Sequence, residues 1–435
     1  MNKILEARDN RVSLIESLLK KGIVISLRCN YPGKNKKNRY TDKVINYMNE
    51  VIKERFNVSE SQYIDEGEGP VYLYVLTDTR SKGVKLSAIG IENQHLLGRL
   101  VDIDVYDKTI KSLSRHDFQV PSRKCYLCDE EAVNCIVHKR HSLETLIHFF
   151  HQTVDLYEKL PIDIIEYTNQ AMLYELFTYP SFGLVSPYSS GAHQDMDYFT
   201  FIDSISVLNK YMLQFAYLAY QEKQIEKMLD EAINIGKVCE KEMFCKTKGV
   251  NTHKGLIFVL GTLVMSSIKM FYHNDSFDKI FENCRIITKN KLHELNQIDD
   301  NKLSNGEKVY LKYQKEGVRK EASLGFPIIQ EALKYLDLEN KDSLIKTLIY
   351  IMSLCEDTTI IHRKGLDGLE YVKKTMNHLM KEGFDNKLLL KINDQFIKEG
   401  ISPGGSADLL CGTIFLSLIK NKMIKRREKW LIKKQ

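Results

Sequence analysis

The chain has 435 residues, 43% of them hydrophobic and 28% charged, a composition that excludes a disordered or fibrous class and a length that predicts two domains. Its formal charge of +6 is concentrated in residues 420–435, which hold eight Lys/Arg and one Glu; the other 419 residues sum to −1. A near-neutral body with a basic end, without basic–aromatic interleaving, argues against a nucleic-acid partner.

Residues 1–155 read as mixed α/β. The patterns predict helices over 2–20, 42–55 and 142–159 and strands over 23–27 and 71–76. Residues 100–105 alternate as a strand, with Val101, Ile103 and Val105 on one side and Asp102 and Asp104 on the other. Pro161 is expected to break the chain, placing an α/β domain at 1–158 and a larger all-α domain at 162–435. Helical patterns follow at 162–176, 199–220, 224–242, 255–271, 344–355, 368–383, 387–399 and 409–419. The apolar runs at 256–265 and 409–419 are too short to span a bilayer, so no membrane partner is expected. Nine cysteines and a charged N-terminus without a signal core predict a reducing cytoplasm.

In the α/β half, Asp102 and Asp104 lie two apart on a strand, so their carboxylates face one way, a spacing suited to Mg²⁺ or to the wet face of an edge strand. Gly98-Arg99 and the basic turn Asn30-Tyr-Pro-Gly33-Lys34 lie around them in the sequence. Cys125, Cys128, Cys135 and His141 could hold a structural zinc, or be free thiols in a reduced loop.

The helical half carries five polar islands. Gly191-Ala-His193-Gln-Asp195-Met-Asp197 offers an imidazole and two acids, or a capped helix start. Asn251-Thr-His-Lys254-Gly255 offers phosphate capture or a cap. Arg319-Lys-Glu321 offers a guanidinium fork, or an ordinary surface pair. Glu356-Asp357-Thr358, with Arg363 behind it, follows a buried helix; if that helix ends at Cys355, two acids at its negative pole call for a metal ion or an arginine, and if it continues through Thr359 they are charges on a buried element. Ser402-Pro-Gly404-Gly405-Ser406-Ala-Asp408 opens a helix and suits an anion, or is an ordinary helix start with Ser406 as its cap and Asp408 in the first turn.

These islands, in this order and with Gly183-Leu-Val185, resemble the triphosphoribosyl-dephospho-CoA synthase family over about residues 167–419. Ser181 and Ser186 stand where many members have Lys and Asp. The resemblance implies that ATP and dephospho-CoA are joined with loss of adenine. It implies Mg²⁺ at Glu356 and Asp357, and His193, Asp195 and Asp197 as catalytic candidates. Lys254, Arg319, Glu321, Arg363, Ser402, Gly404, Gly405, Ser406 and Asp408 would bind substrate and phosphates.

Arg8-Asp-Asn-Arg11, Asn30-Tyr-Pro-Gly33, Gly98-Arg-Leu-Val-Asp102-Ile-Asp104 and Arg123-Lys-Cys125-Tyr-Leu-Cys128 onward resemble the phosphoribosyl-dephospho-CoA transferase of citrate lyase. Val137 replaces an arginine common in that family. The resemblance implies transfer to a serine of the apo acyl carrier protein with release of pyrophosphate. Asp102 and Asp104 would hold Mg²⁺, and Arg99 and Lys34 would steady phosphates. The same synthase step serving malonate decarboxylase is the nearest alternative, which the first half argues against; a catalytically silent nucleotide-binding regulator is another.

Overall fold

The computed structural model describes residues 2–77, 79–125, 127–128, 130–220, 224–289 and 303–424. They form two compact units, one of residues 1–160 with 271–275, the other of 161–270 and the described residues from 276 onward.

The first unit contains α1 (Asn2–Leu19), β1 (Ile23–Cys29), α2 (Arg39–Arg55), β2 (Val58–Glu66), β3 (Gly69–Leu76), α3 (Ser81–Gln94), β4 (Val101–Tyr106) and α4 (Ala132–Val137). The strands form one antiparallel sheet, ordered β2-β3-β1-β4. Ile15 and Leu18 of α1 pack on one sheet face with Val24, Val71, Leu73 and Val75, each buried aliphatic contributing about 1.5–3 kcal/mol. The Tyr74 hydroxyl donates to Asn49 Oδ1 of α2 at 2.9 Å. A capping box between Asn38 and Thr41 starts α2 three residues before the expected position.

β4 is an edge strand, and α3 seals its open side. Ile103 N donates to the buried Glu92 Oε1 at 2.9 Å, and Lys85 Nζ donates to Ile103 O at 3.5 Å. The cost of leaving an edge unpaired is thus met by charged side chains turned inward.

α5 (Leu143–Leu176) corrects the expected break: it runs through Pro161. A proline inside a helix costs about 3 kcal/mol through its missing donor. Tyr157, Leu160, Ile164 and Met172 are buried along the same helix, and their burial outweighs that cost.

The second unit continues with α6 (Tyr198–Tyr220), α7 (Met228–Lys246), α8 (Lys254–Tyr272), α9 (Lys279–Thr288), α10 (Asn305–Tyr313), α11 (Val318–Ser323) and α12 (Pro327–Ala332). It ends with α13 (Asp342–Leu354), α14 (Thr358–Glu382), α15 (Asn386–Glu399) and α16 (Gly404–Leu418). The expected class, an α/β unit followed by a larger helical one, is the one observed. α8 is nevertheless long and apolar enough to cross a membrane, because Ile268, Met270, Phe271 and Tyr272 carry the apolar run past Ser266 and Ser267; 89% of that stretch is buried within the fold. The greater part of the basic end, residues 425–435, lies outside the described residues.

Candidate functional site

A cavity of about 760 Å³ opens in the helical unit where α8, α14 and α16 begin. The sequence permits this convergence at specific points. A Cβ on Gly404 would stand 2.9 Å from Thr359 Oγ1, so the starts of α14 and α16 approach closely because no side chain intervenes. Asn251 Oδ1 accepts from Lys254 N at 3.2 Å and caps α8. The positive ends of three helices, about half a charge each, are thus brought to one hollow, although Lys254 N already donates to Asn251 and Thr359 N, Ile360 N and Ser406 N to Asp357.

Asp357 has a different position from the expected one. It is the N-cap of α14 and so lies at a positive pole. Its Oδ1 accepts from Thr359 N (3.0 Å) and Ile360 N (3.3 Å), and its Oδ2 from Ser406 N (2.8 Å) and Ser406 Oγ (2.9 Å). Four protein donors occupy the carboxylate, which burial pushes upward in pKa while the Ser406 bonds pull it down. Asp357 and Ser406 therefore staple two helix starts together behind the cavity wall. Glu356 faces elsewhere, its Oε1 2.5 Å from Lys315 Nζ. This pair does not fit a Mg²⁺ site.

Two other acids do. Asp408 and Glu175 line the cavity, and among the described residues neither carboxylate accepts a hydrogen bond. Asp408 sits against the start of α8, where a Cβ on Gly255 would be 2.1 Å from its Oδ2. Burial, with the charges of Asp357 and Glu175, holds the Asp408 carboxyl well above the usual range. Burial pushes Glu175 up to about 8. Oxygen donors without protein partners, in a like-charged pair, suit a divalent cation. Glu175 shares the inward stripe of α5 with Thr168, Ala171 and Met172; an acid on an apolar stripe was the available signal in the sequence.

A pH effect on stability follows. Because Glu175 has a higher pKa folded than unfolded, the folded state binds the proton more tightly. Its stabilising contribution is complete below the unfolded value and is lost as pH rises through about 8. Thermal melts of ligand-free protein should fall in midpoint from pH 5 to 8, and Glu175→Gln should flatten that slope. An unchanged slope would show that Glu175 is not the group responsible.

His193 lies on the cavity wall with its proton placed by its neighbours. Arg363 donates to Nδ1 at 3.1 Å, so Nε2 carries the hydrogen and donates to Ser402 Oγ at 2.9 Å. Burial, then the Arg363 charge, lowers its pKa to about 4, leaving a neutral ring at pH 7. Asp195 Oδ1, 3.8 Å from Nδ1, is consequently not a true ion-pair partner; it stands exposed at the rim. Asp197 is a correction: it accepts from Thr200 N and Oγ1 at 2.9 and 2.8 Å as a helix cap, away from the cavity lining.

His253 was missed because its island reads as a cap. Thr252 Oγ1 donates to Ser204 Oγ at 2.7 Å, and Ser204 Oγ lies 2.7 Å from His253 Nδ1. The buried Nε2 has no partner among the described residues and its side chain lines the cavity. Burial lowers its pKa to about 3, so it serves as a neutral group.

Lys254, Arg319 and Arg363 line the same cavity. Lys254 Nζ is 2.6 Å from Glu240, and Arg319 is 3.4 Å from Glu307, both acids also lining it. Glu321 is corrected to a structural role: half-buried behind the wall, it accepts from Ile328 N at 3.1 Å at the start of α12.

In the α/β unit, Asp102 and Asp104 share the open face of β4, as their spacing predicts. Arg28, opposite on β1, reaches Asp104 Oδ2 at 3.2 Å and Asp102 Oδ2 at 3.8 Å, and Arg123 pairs with Asp102. Asp104 Oδ1 has no donor among the described residues. Arg99 is corrected: it donates to the carbonyls of Lys124 and Cys125 and holds the cysteine loop. Lys34 is exposed on its turn. Cys125, Cys128, Cys135 and His141 bring their ligand atoms within 4.8 Å of one another, a set compatible with zinc.

Residues 162–427 match the family ATP:dephospho-CoA triphosphoribosyl transferase (CitG), and residues 1–157 match the apo-citrate lyase phosphoribosyl-dephospho-CoA transferase (CitX). This chain belongs to the CitXG family. Protein CitXG of Leuconostoc mesenteroides subsp. cremoris is 34% identical over 91% of this chain and 91% of its own. Protein CitXG of Haemophilus influenzae is 30% identical over 95% of each. The 2-(5''-triphosphoribosyl)-3'-dephosphocoenzyme-A synthase of Pectobacterium atrosepticum is 31% identical over 59% of this chain and 88% of its own. The chain is a two-part transferase: its helical unit is a triphosphoribosyl-dephospho-CoA synthase, and its α/β unit attaches the citrate lyase prosthetic group.

Proposed function

We propose that the helical cavity binds ATP by its triphosphate at the starts of α8, α14 and α16, and there joins it to dephospho-CoA. The supporting observation is that helix ends, three basic side chains and a donor-free acid pair line one hollow. Glu175 and Asp408 would hold the Mg²⁺ that accompanies the triphosphate, and the ion would neutralise both acids and phosphate oxygens. Ser402, whose oxygen already accepts from His193, keeps its hydroxyl hydrogen for a ligand oxygen. Arg319 and Lys254 lie within reach of phosphates once they exchange Glu307 and Glu240 for them. Asp195 at the rim is the acid placed to assist a developing oxocarbenium centre, or to take the proton of the attacking ribose hydroxyl.

In the α/β unit, a serine of the apo acyl carrier protein attacks the α-phosphate of the triphosphoribosyl product, and pyrophosphate leaves. Asp102 and Asp104 would hold a divalent ion there, and Arg28 between them supplies further positive charge beside the phosphates. Carrying both steps on one chain raises the local concentration of the intermediate. Nine free cysteines support a cytoplasmic location. The test is incubation with ATP, dephospho-CoA, Mg²⁺ and apo carrier protein of citrate lyase. Adenine should be released and the carrier should gain the mass of phosphoribosyl-dephospho-CoA. Adenine release without a carrier product would remove the second half of the reading, and neither signal would remove both.

A further inference from the structure

We infer that Cys125, Cys128, Cys135 and His141 form a zinc site whose purpose is to hold Arg123 against Asp102. The inference adds a metal to the α/β unit and rests on the proposed role of Asp102 only in its second part.

Geometry supports the metal first. Cys128 Sγ lies 3.4 Å from Cys135 Sγ and 3.3 Å from His141 Nε2, and all four ligand atoms lie within 4.8 Å of one another. A disulfide would need about 2.05 Å between sulfurs. A tetrahedron with Zn–S near 2.3 Å and Zn–N near 2.0 Å sets its ligands roughly 3.5–3.8 Å apart. Three thiols and one imidazole are the soft and borderline donors that select zinc over Mg²⁺.

The surrounding segment also requires an external tie. Among its described residues, 121–142 bury Cys125, Leu127 and Cys135 alone. α4 has six residues, and its Val133, Ile136 and Val137 are 63%, 73% and 68% exposed. Helices this short do not persist unaided, and one leucine cannot fix the segment. What organises it is the turn that presents the cysteines. Cys125 N donates to Glu130 O at 2.8 Å, Ala132 N donates to Arg123 O at 2.8 Å, and Leu127 N points at Cys125 Sγ at 3.5 Å. A structural zinc supplies folding free energy to segments of this kind.

The turn begins at Arg123. Its guanidinium pairs with both Asp102 and the buried Glu92, while Arg115 approaches the other Glu92 oxygen at 2.5 Å. Arg99 clamps the carbonyls of Lys124 and Cys125 from the strand side. Zinc thus fixes one end of a segment whose other end is a positioning residue for Asp102. Losing the metal frees Arg123 and leaves Asp102 with the longer, 3.8 Å approach of Arg28.

The experiment uses the full-length protein. Plasma mass spectrometry should find about one zinc per chain, and cobalt substitution should give thiolate-to-cobalt charge-transfer bands that change in His141→Ala. Cys128→Ser should lose the metal. Removing zinc from wild-type protein with phenanthroline should slow transfer to the carrier protein at least tenfold, leave adenine release unchanged, and be reversed by added zinc. A chain purified without zinc that neither binds cobalt nor takes up zinc, or that carries a Cys128–Cys135 disulfide, overturns the site. Zinc whose removal leaves transfer unaltered overturns the link to Arg123. Metal content and the cobalt spectrum judge the site even if neither transferase activity is found.

Discussion

Asp408→Asn should slow adenine release from ATP and dephospho-CoA by on the order of a thousandfold, the range expected when a charge that neutralises or moves a proton is lost. The substitution preserves shape beside Gly255 and removes the charge that repels Glu175 and Asp357. The protein should therefore melt no lower than wild type, and somewhat higher at pH 8. Transfer from added triphosphoribosyl-dephospho-CoA to the carrier protein should be untouched. Adenine release within a factor of three of wild type would take Asp408 out of the chemistry.

The second large effect is on stability. Asp357→Ala removes the acceptor of four hydrogen bonds, stranding the buried amides of Ile360 and Ser406 and the half-buried amide of Thr359. A lost cap costs about 1–2 kcal/mol and each stranded donor about 1–3, so a net loss near 3–5 kcal/mol is expected. For a unit of this size that lowers the melting midpoint by about 10 °C. Asp357→Asn, which still offers one oxygen, should fall between the two and keep adenine release within about tenfold of wild type at 20 °C. Complete loss of that release in a well-folded Asp357→Asn protein would instead make Asp357 a reacting or metal-binding group.

The difference between these two acids explains what the sequence could and could not tell. Both stand in polar islands at helix boundaries. Asp357 follows an apolar helix, so it reads as an acid at a negative pole. The chain turns at Cys355, however, and the same residue caps the next helix. Which pole an acid meets depends on one turn, and periodicity locates turns only to within a few residues. Glu175 was hidden for the opposite reason: its place on an apolar stripe marks it as buried, but only packing brings α5 to Asp408. Strand β4 was legible because its alternation is strict. β2 was not, since as the other edge strand it leaves most of its side chains half-buried or exposed and shows little apolar alternation. α3 escaped notice because Lys85 and Glu92, which look like surface residues, point inward to seal the β4 edge. The cysteine cluster was legible only as a set of neighbours: Cys125, Cys128, Cys135 and His141 do meet, whichever role they serve.

The most direct measurement is a crystal structure of the full chain grown with Mn²⁺ and ATP, using the anomalous signal of manganese. A peak within ligand distance of Asp408 and Glu175, with the triphosphate lying across the starts of α8 and α16, is the predicted result. Manganese between Glu356 and Asp357, or a triphosphate bound outside this cavity, would contradict the account.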